Sequence, residues 1–213
     1  MSRELDAAVE LLDRSLAYTR VALAGVTSDD LGRSTPCAGW SLARLLAHME
    51  DALDAFTEAA GGAVGAEGPA DRTGARVDRL QAKACRLLGS WTTLSAAVGA
   101  GHSGGGSVAV GDRFLAAPLL VGAAALEITV HGWDVGRATG RGGPVPESLA
   151  SELLEVAAVV VPSQRRDGRF GEPVPLPAGA DAADLLPAFL GRHPSGPPSG
   201  NPLVPAPPGP PGS

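Results

Sequence analysis

The sequence has few aromatic residues and no long basic cluster, and both absences narrow the classes of protein to which it can belong. Only 4% of its 213 residues are aromatic, so much of the 44% hydrophobic content is Ala, Val and Leu. Ala and Leu favour helices. The formal net charge is −6, and the longest run rich in Arg, QRRDGR at 164–169, is short. A nucleic-acid partner is therefore not expected, because such proteins carry a basic patch or stripe.

Cysteine and long apolar runs are scarce as well. Cys37 and Cys85 cannot build a disulfide framework, and their spacing matches no zinc-ribbon pattern. The longest apolar run, FLAAPLLVGAAAL at 114–126, is too short to span a bilayer and fits a helix buried in a bundle. The N-terminal MSRELDAAVELLDRSL lacks the apolar core of a signal peptide. We expect a cytoplasmic protein with reduced thiols and no membrane partner.

Apolar residues at helical spacing predict four main helices, at about 5–26, 42–60, 75–98 and 118–140. Ser41 is a predicted N-cap and Gly140 a predicted C-cap. A short extended piece is expected at SVAV, 107–110. A fifth apolar segment follows at 146–161, and a Pro-punctuated arm leads to a short helix at 182–190. With no repeat and no series of strands, the pattern predicts an all-α, up-down four-helix bundle with a small C-terminal extension.

Composition divides the chain further. We expect the helical bundle at 1–163, the arm and short helix packed on it at 164–194, and a tail at 195–213. The tail is Pro, Gly and Ser with almost nothing to bury, which is typical of disorder.

Glu127 and His131 lie four residues apart in the fourth predicted helix, so they share one face, one turn apart. Such a pair is frequent by chance, and a surface ion pair of this kind stabilises a helix by only a few tenths of a kcal/mol. Their neighbours, however, make the helix apolar over most of its circumference, where an unpaired Glu would cost several kcal/mol. A buried Glu127 needs a partner, and a metal is one good partner.

His48 in the second predicted helix supplies a third ligand. The other two histidines, His102 and His193, fall in predicted loops. Two imidazoles and one carboxylate leave a coordination position open, as in catalytic zinc sites. The same donors also suit iron, nickel or manganese.

Further residues are candidates for roles around this site. Asp134 is placed to accept the other ring N–H of His131, or else forms a solvated pair with Arg137 or Arg141. Arg44 and Arg137 are candidates to hold a substrate carboxylate, although arginines that extend along a helix surface are commoner.

Two loop residues near the second helix have simpler interpretations. Trp40, just before the N-cap, is expected to staple the loop onto the bundle. Cys37 lacks an adjacent His or basic partner in the sequence, so it is expected to be a small packing residue rather than a nucleophile.

Three segments resemble, in this order, the mycothiol-dependent maleylpyruvate isomerase-like proteins of the DinB-like metal-binding four-helix superfamily of actinobacteria. They are STPCAGWSLARLLAHM, LEITVHGWDVGRATG and FGEPVPLPAGADAADLLPAFLGRHP, and the resemblance extends over 5–194. It implies one His ligand from the second helix and a Glu and a His from the fourth, which correspond to His48, Glu127 and His131. These are the residues already singled out by their spacing.

The resemblance also implies the use of a low-molecular-weight thiol. We therefore expect a metal-dependent, mycothiol-using S-transferase or isomerase acting on a small electrophilic substrate, as monomer or homodimer. Zinc is the expected metal. Small residues in VGAAALEI and DVGRA are expected to enlarge the pocket, with the Gly-rich loop at 101–113 near it. Two alternatives stay open: a thiol-independent metal enzyme, and a non-catalytic protein that binds a small molecule.

Overall fold

The structure is a computed structural model that describes residues 2–61, 76–101, 106–110, 113–161, 166 and 170–194. Six α-helices and one β-hairpin lie in these ranges. The helices are α1 (Ser2–Ala24), α2 (Leu42–Ala60), α3 (Arg76–Gly99), α4 (Ala117–Thr139), α5 (Glu147–Val160) and α6 (Ala182–Phe189). The strands are β1 (Ser107–Val110) and β2 (Arg113–Ala116), and Ser28–Asp30 form one 3-10 turn. The predicted all-α bundle is confirmed.

The helix ends follow the expected local chemistry. The Ser41 hydroxyl accepts the backbone N–H of Arg44 at the start of α2. Pro118 lies in the first turn of α4, and Gly140 ends that helix with a φ of 70°, a left-handed conformation that favours glycine. The apolar run at 114–126 is not helical throughout: its first three residues belong to β2, which pairs antiparallel with β1. The extended piece expected at 107–110 is β1.

Contacts between the helices fix their directions. Arg76 donates to the Ala43 carbonyl, and Trp91 donates to that of Phe56, so α2 and α3 run parallel. The Ser95 hydroxyl donates to Asp6, which makes α1 and α3 antiparallel. Simple up-down alternation therefore holds from α1 to α2 but not from α2 to α3. The connection between α2 and α3 has to return along the bundle, and residues 62–75 of it lie outside the described ranges.

The interface between α1 and α4 is unusually close and sets the position of α4. The Thr19 hydroxyl donates to the Ile128 carbonyl at 2.8 Å, and a Cβ on Gly132 would overlap the Thr19 side chain. Only glycine allows this approach. Nearly every residue of α4 is buried, as expected for a helix that is apolar on most sides.

The C-terminal extension packs on the bundle through α5. Helix α5 contacts α4, and α6 contacts α5. The Glu147 carboxylate accepts the N–H groups of Ala182 and Ala183 at 2.9 and 3.2 Å, so α5 caps the start of α6. The division at residue 163 and the disordered tail remain predictions; the tail at 195–213 lies outside the described residues. Among the helices described, none is long and apolar enough to cross a membrane.

Candidate metal centre

Three side chains on two helices converge in the bundle: His48 from α2, and Glu127 and His131 from α4 (the triad). His48 Nε2 lies 2.7 Å from Glu127 Oε1, and His131 Nε2 lies 3.0 Å from the same oxygen. The two imidazole rings meet edge to face, with centroids 5.0 Å apart. The structure thus brings together the residues that the sequence selected.

The triad passes from the interior of the bundle to its surface. The side chain of His131 is 8% exposed, that of Glu127 is 26% exposed and that of His48 is 37% exposed. The burial of α4 explains the first value, while His48 lies at the edge of the apolar stripe of α2. One side of the cluster is therefore accessible from outside.

The donor set of the triad fits a divalent metal. Its three donor atoms lie within 4.8 Å of one another. In a tetrahedral site with bonds of about 2.1 Å, neighbouring donors lie about 3.4 Å apart, so a small outward movement of the imidazoles from Glu127 makes room for an ion. Two imidazoles and one carboxylate match zinc, and also other first-row metals. The identity of the ion does not follow from these donors.

The electrostatics of the triad also favour a cation. Burial raises the pKa of Glu127, but the hydrogen bonds with His131 and His48 outweigh burial and hold it well below its usual range. Burial lowers the pKa of His131, whereas hydrogen bonds to Asp134 and Glu127 raise it, with a net result of about 9. His131 thus holds a proton between two carboxylates, at the place where a bound metal would otherwise supply the positive charge.

Asp134 lies behind His131 and orients its ring. Asp134 Oδ2 is 3.0 Å from His131 Nδ1, so when the imidazole is neutral Nδ1 carries the hydrogen and the lone pair of Nε2 is left for a metal. The Asp134 side chain is fully buried. The alternative of a solvated Asp134 paired with Arg137 or Arg141 is therefore wrong.

The cation that neutralises Asp134 comes from the C-terminal extension. Arg192 donates through Nε to Oδ1 at 3.1 Å and through Nη2 to Oδ2 at 2.8 Å, and its side chain is only 6% exposed. Burial raises the pKa of Asp134, but the charge of Arg192 and the bond from His131 outweigh burial and lower it. Arg192 was not predicted from the sequence; its one signal was the closing GRHP of the third resembling segment.

Cys37 forms a second possible donor group with His131 and Asp134. Both Asp134 oxygens already accept from Arg192, and one also from His131, so this group offers a metal less than the triad does. Arg192 Nη2 also lies 3.6 Å from the Cys37 sulfur. Burial, followed by the charge of Asp134, raises the pKa of Cys37 to about 11, and a thiol with that pKa is a poor nucleophile.

Trp40 lies beside the exposed side of the triad, which makes it more than a staple for the loop. Its ring centroid is 5.1 Å from that of His48, and the guanidinium of Arg44 lies 4.5 Å above the same ring. Arg44 is therefore next to the triad on an exposed surface. Arg137 is placed elsewhere, with its guanidinium 5.5 Å from the ring centroid of Trp133.

A cavity of about 460 Å³ adjoins the buried side of the triad, with Glu127 and His131 in its wall. None of the small residues of α4 that were expected to enlarge the pocket lines this cavity. A Cβ on Gly122 would lie 3.2 Å from the Val156 side chain, and one on Gly136 would overlap the backbone at Gly142. Of the Gly-rich loop, residues 102–105 and 111–112 lie outside the described ranges.

Comparisons with known proteins agree with the resemblance carried by the three segments. The family of the mycothiol maleylpyruvate isomerase N-terminal domain matches residues 12–136, which include the triad. Two uncharacterized proteins of Mycobacterium tuberculosis, from strains CDC 1551 and H37Rv, are each 31% identical to the chain over 172 residues. That alignment covers 80% of the chain and 89% of each relative. No solved structure matches the chain significantly. The chain belongs to the mycothiol maleylpyruvate isomerase N-terminal domain family.

Proposed function

We propose that the protein is a metal-dependent enzyme that adds a low-molecular-weight thiol, mycothiol, to a small electrophilic substrate. In this proposal the thiol either remains on the product or leaves after an isomerisation. The observation that supports the proposal most directly is the convergence of His48, Glu127 and His131 between an apolar cavity and an exposed surface.

His48, Glu127 and His131 would hold the metal, zinc being the ion proposed. When bound, a divalent ion with an open coordination position would let a thiol ionise at a pH far below its usual pKa near 8.5. Asp134 keeps the ring of His131 in the tautomer that presents Nε2, and Arg192 holds Asp134 in place. Both act by positioning, since neither reaches the exposed side of the triad.

The two sides of the triad suit two different reactants. The exposed side, with Trp40 and Arg44 next to His48, suits a polar thiol that arrives from solvent. The cavity on the other side, walled by Glu127 and His131, suits the electrophile, because its largely apolar lining can hold the carbon skeleton of a small substrate.

The bond changes of the proposed reaction balance without an oxidant or reductant. The thiolate sulfur forms a bond to an electrophilic alkene carbon while the π bond breaks, and the proton lost by the thiol ends on the neighbouring carbon. If the product keeps this S–C bond, the enzyme is an S-transferase. If the adduct rotates first, the neighbouring carbon then loses a proton, its C–H electron pair re-forms the π bond in the other geometry, the S–C bond breaks, and the departing sulfur takes up a proton as free thiol; the enzyme is then an isomerase.

Metal analysis of the purified protein tests the site first. We expect about one zinc per chain in the wild type and a loss of at least tenfold in zinc affinity for His131→Ala and Glu127→Gln. Glu155→Gln, an exposed substitution on α5, is the matched control and should bind zinc normally. Wild-type zinc content in His131→Ala would refute the metal site.

Turnover of an electrophile panel, measured with and without mycothiol, tests the reaction. We expect product only in the arm that contains the thiol. Equal rates in both arms would instead support a thiol-independent metal enzyme. Binding of panel members without turnover in either arm would support a non-catalytic binding protein.

A further inference from the structure

The cavity next to the triad is a slot between α1 and α3 with a floor from α2 and α4. On α1 it extends from Asp13 to Leu23, which is about 15 Å at the rise of an α-helix. Its volume of about 460 Å³ lies within the usual range of small-molecule pockets. The proposed function places the electrophile in this cavity but does not give its chemical class.

The slot exists because small residues face one another on three helices. Ser95 of α3 and Asp6 of α1 are hydrogen-bonded and so lie side by side. Because the two helices are antiparallel, Ala17, eleven residues after Asp6, lies opposite Ala84, eleven residues before Ser95. Ala52 of α2 lines the same space. Larger residues at these positions would close the gap between the helices.

One end of the slot is polar and lies level with the triad. By the same count from Asp6 and Ser95, Arg20 of α1 lies opposite Gln81 of α3, and both residues line the cavity. The hydroxyl of the adjacent Thr19 donates to the backbone carbonyl of Ile128, in the turn of α4 that carries Glu127 and His131. This hydrogen bond places Arg20 beside the triad. Within the described part of the chain, Arg20 is exposed and makes no hydrogen bond or ion pair.

The rest of the slot is apolar. Leu16, Leu53 and Leu88 line it away from Arg20. At its far end, two helical turns from Arg20, the acidic residue Asp13 joins the lining. A ligand with a negative charge at that end would be repelled.

We propose that this cavity binds a monocarboxylic acid with an extended apolar tail. The carboxylate pairs with Arg20 and Gln81 beside the triad, and the tail lies along Leu16, Leu53 and Leu88. A guanidinium and an amide together offer the donors that a carboxylate accepts, while burial of each methylene strengthens binding. The inference rests on the proposed function in one respect: the acid is the electrophilic substrate of the triad.

Octanoate is the probe, because it has the proposed shape and no electrophilic carbon. Isothermal titration calorimetry on the full, zinc-loaded chain should show saturable binding at one site. Butyrate should bind about tenfold or more weakly, because four methylenes are missing. Suberate, the dicarboxylate of the same length, should also bind about tenfold or more weakly, because its second charge meets Leu88 and Asp13.

Variants locate the site. Arg20→Gln should weaken octanoate binding about tenfold and leave the binding of octan-1-ol unchanged, because only the charged pair is lost. Arg3→Gln, an exposed arginine on the same helix that does not line the cavity, is the matched control and should change neither. Ala84→Leu should abolish binding of both ligands by filling the slot. Ala17→Leu, on the exposed lip, tests the same point if the first variant unfolds.

Unchanged octanoate binding in Arg20→Gln, or equal affinities for octanoate and butyrate, would overturn the assignment. Zinc content measured on the same samples separates the two proposals. A chain that binds zinc but not octanoate refutes the acid site alone. A chain that binds octanoate through Arg20 but carries no zinc supports the acid site and refutes the proposed function.

Discussion

Replacing Arg192 by Met is the sharpest test of how the C-terminal extension supports the triad. The change removes the bidentate partner of Asp134 and keeps much of the apolar volume of the arginine stem. Asp134 then carries a negative charge in a fully buried position with only His131 beside it. We expect both the stability of the protein and its zinc affinity to fall.

The magnitude follows from burial. The side chains of Arg192 and Asp134 are 6% and 0% exposed, so solvent screens their interaction very little. Removing one partner of a buried pair typically costs about 3–5 kcal/mol of unfolding free energy. Losing the group that holds a ligand-orienting carboxylate typically costs about 10- to 100-fold in metal affinity.

Urea unfolding of the metal-free protein and competitive zinc titration measure the two effects. Arg141→Met is the matched control: Arg141 pairs with buried Asp30, but its own side chain is 45% exposed and the pair does not touch the triad. We expect this control to lose about 1 kcal/mol or less and to keep its zinc affinity. If Arg192→Met behaves like Arg141→Met in both assays, the positioning role of Arg192 is wrong.

A double substitution separates stability from metal binding. Asp134→Asn combined with Arg192→Met removes both buried charges, so part of the lost stability should return. Zinc affinity should remain about tenfold low, because an amide oxygen is a weaker acceptor for the ring N–H of His131 than a carboxylate. Recovery of both quantities together would show that the pair affects metal binding only through folding.

Three further predictions address the triad and its surroundings. Because the pKa of His131 is raised from 6.5 to about 9, its contribution to the stability of the metal-free protein should be complete at about pH 6.5 and lost at higher pH. Urea unfolding should show that the unfolding free energy falls by up to a few kcal/mol as the pH rises through 9. Zinc affinity should rise over the same pH range, because the metal displaces the proton of His131. Gly132→Ala should lower the unfolding free energy by about 1–3 kcal/mol through overlap with a threonine of α1. Gly89→Ala, with open space around it in α3, should be neutral or slightly stabilising. Zinc binding should change tryptophan fluorescence, and Trp40→Phe should remove most of that change, since the Trp40 ring contacts a ligand imidazole.

The helices were predictable because each buries one apolar face, and burial at a fixed spacing leaves a periodic pattern. Their ends were predictable where a single residue type has a local reason, such as Ser41 at an N-cap or Gly140 at a left-handed position. The parallel arrangement of α2 and α3 was not predictable, because it depends on the path of the connection at 61–75. That segment carries no periodic signal.

The triad was predictable for a different reason. A carboxylate and an imidazole one turn apart in a helix that is apolar on most sides need a third polar partner, and the chain has few histidines on predicted helices. The cavity had no such signal. Ala17, Ala52 and Ala84 are ordinary helix residues in sequence, and only the register between α1, α2 and α3 turns them into one space.

Arg192 shows how far the site depends on parts of the chain that the bundle does not contain. The family match ends at residue 136, and the triad lies within it, yet the cation that neutralises Asp134 arrives 58 residues later in sequence. A series of contacts fixes its position: α5 packs on α4, Glu147 of α5 caps α6, and Arg192 lies within one turn of the end of α6. The bundle supplies the ligands, but the extension determines whether the buried carboxylate behind them is charged and held. The C-terminal extension is therefore part of the candidate metal centre. Substitutions in the extension are expected to change the metal affinity of that centre, as substitutions of the ligands are.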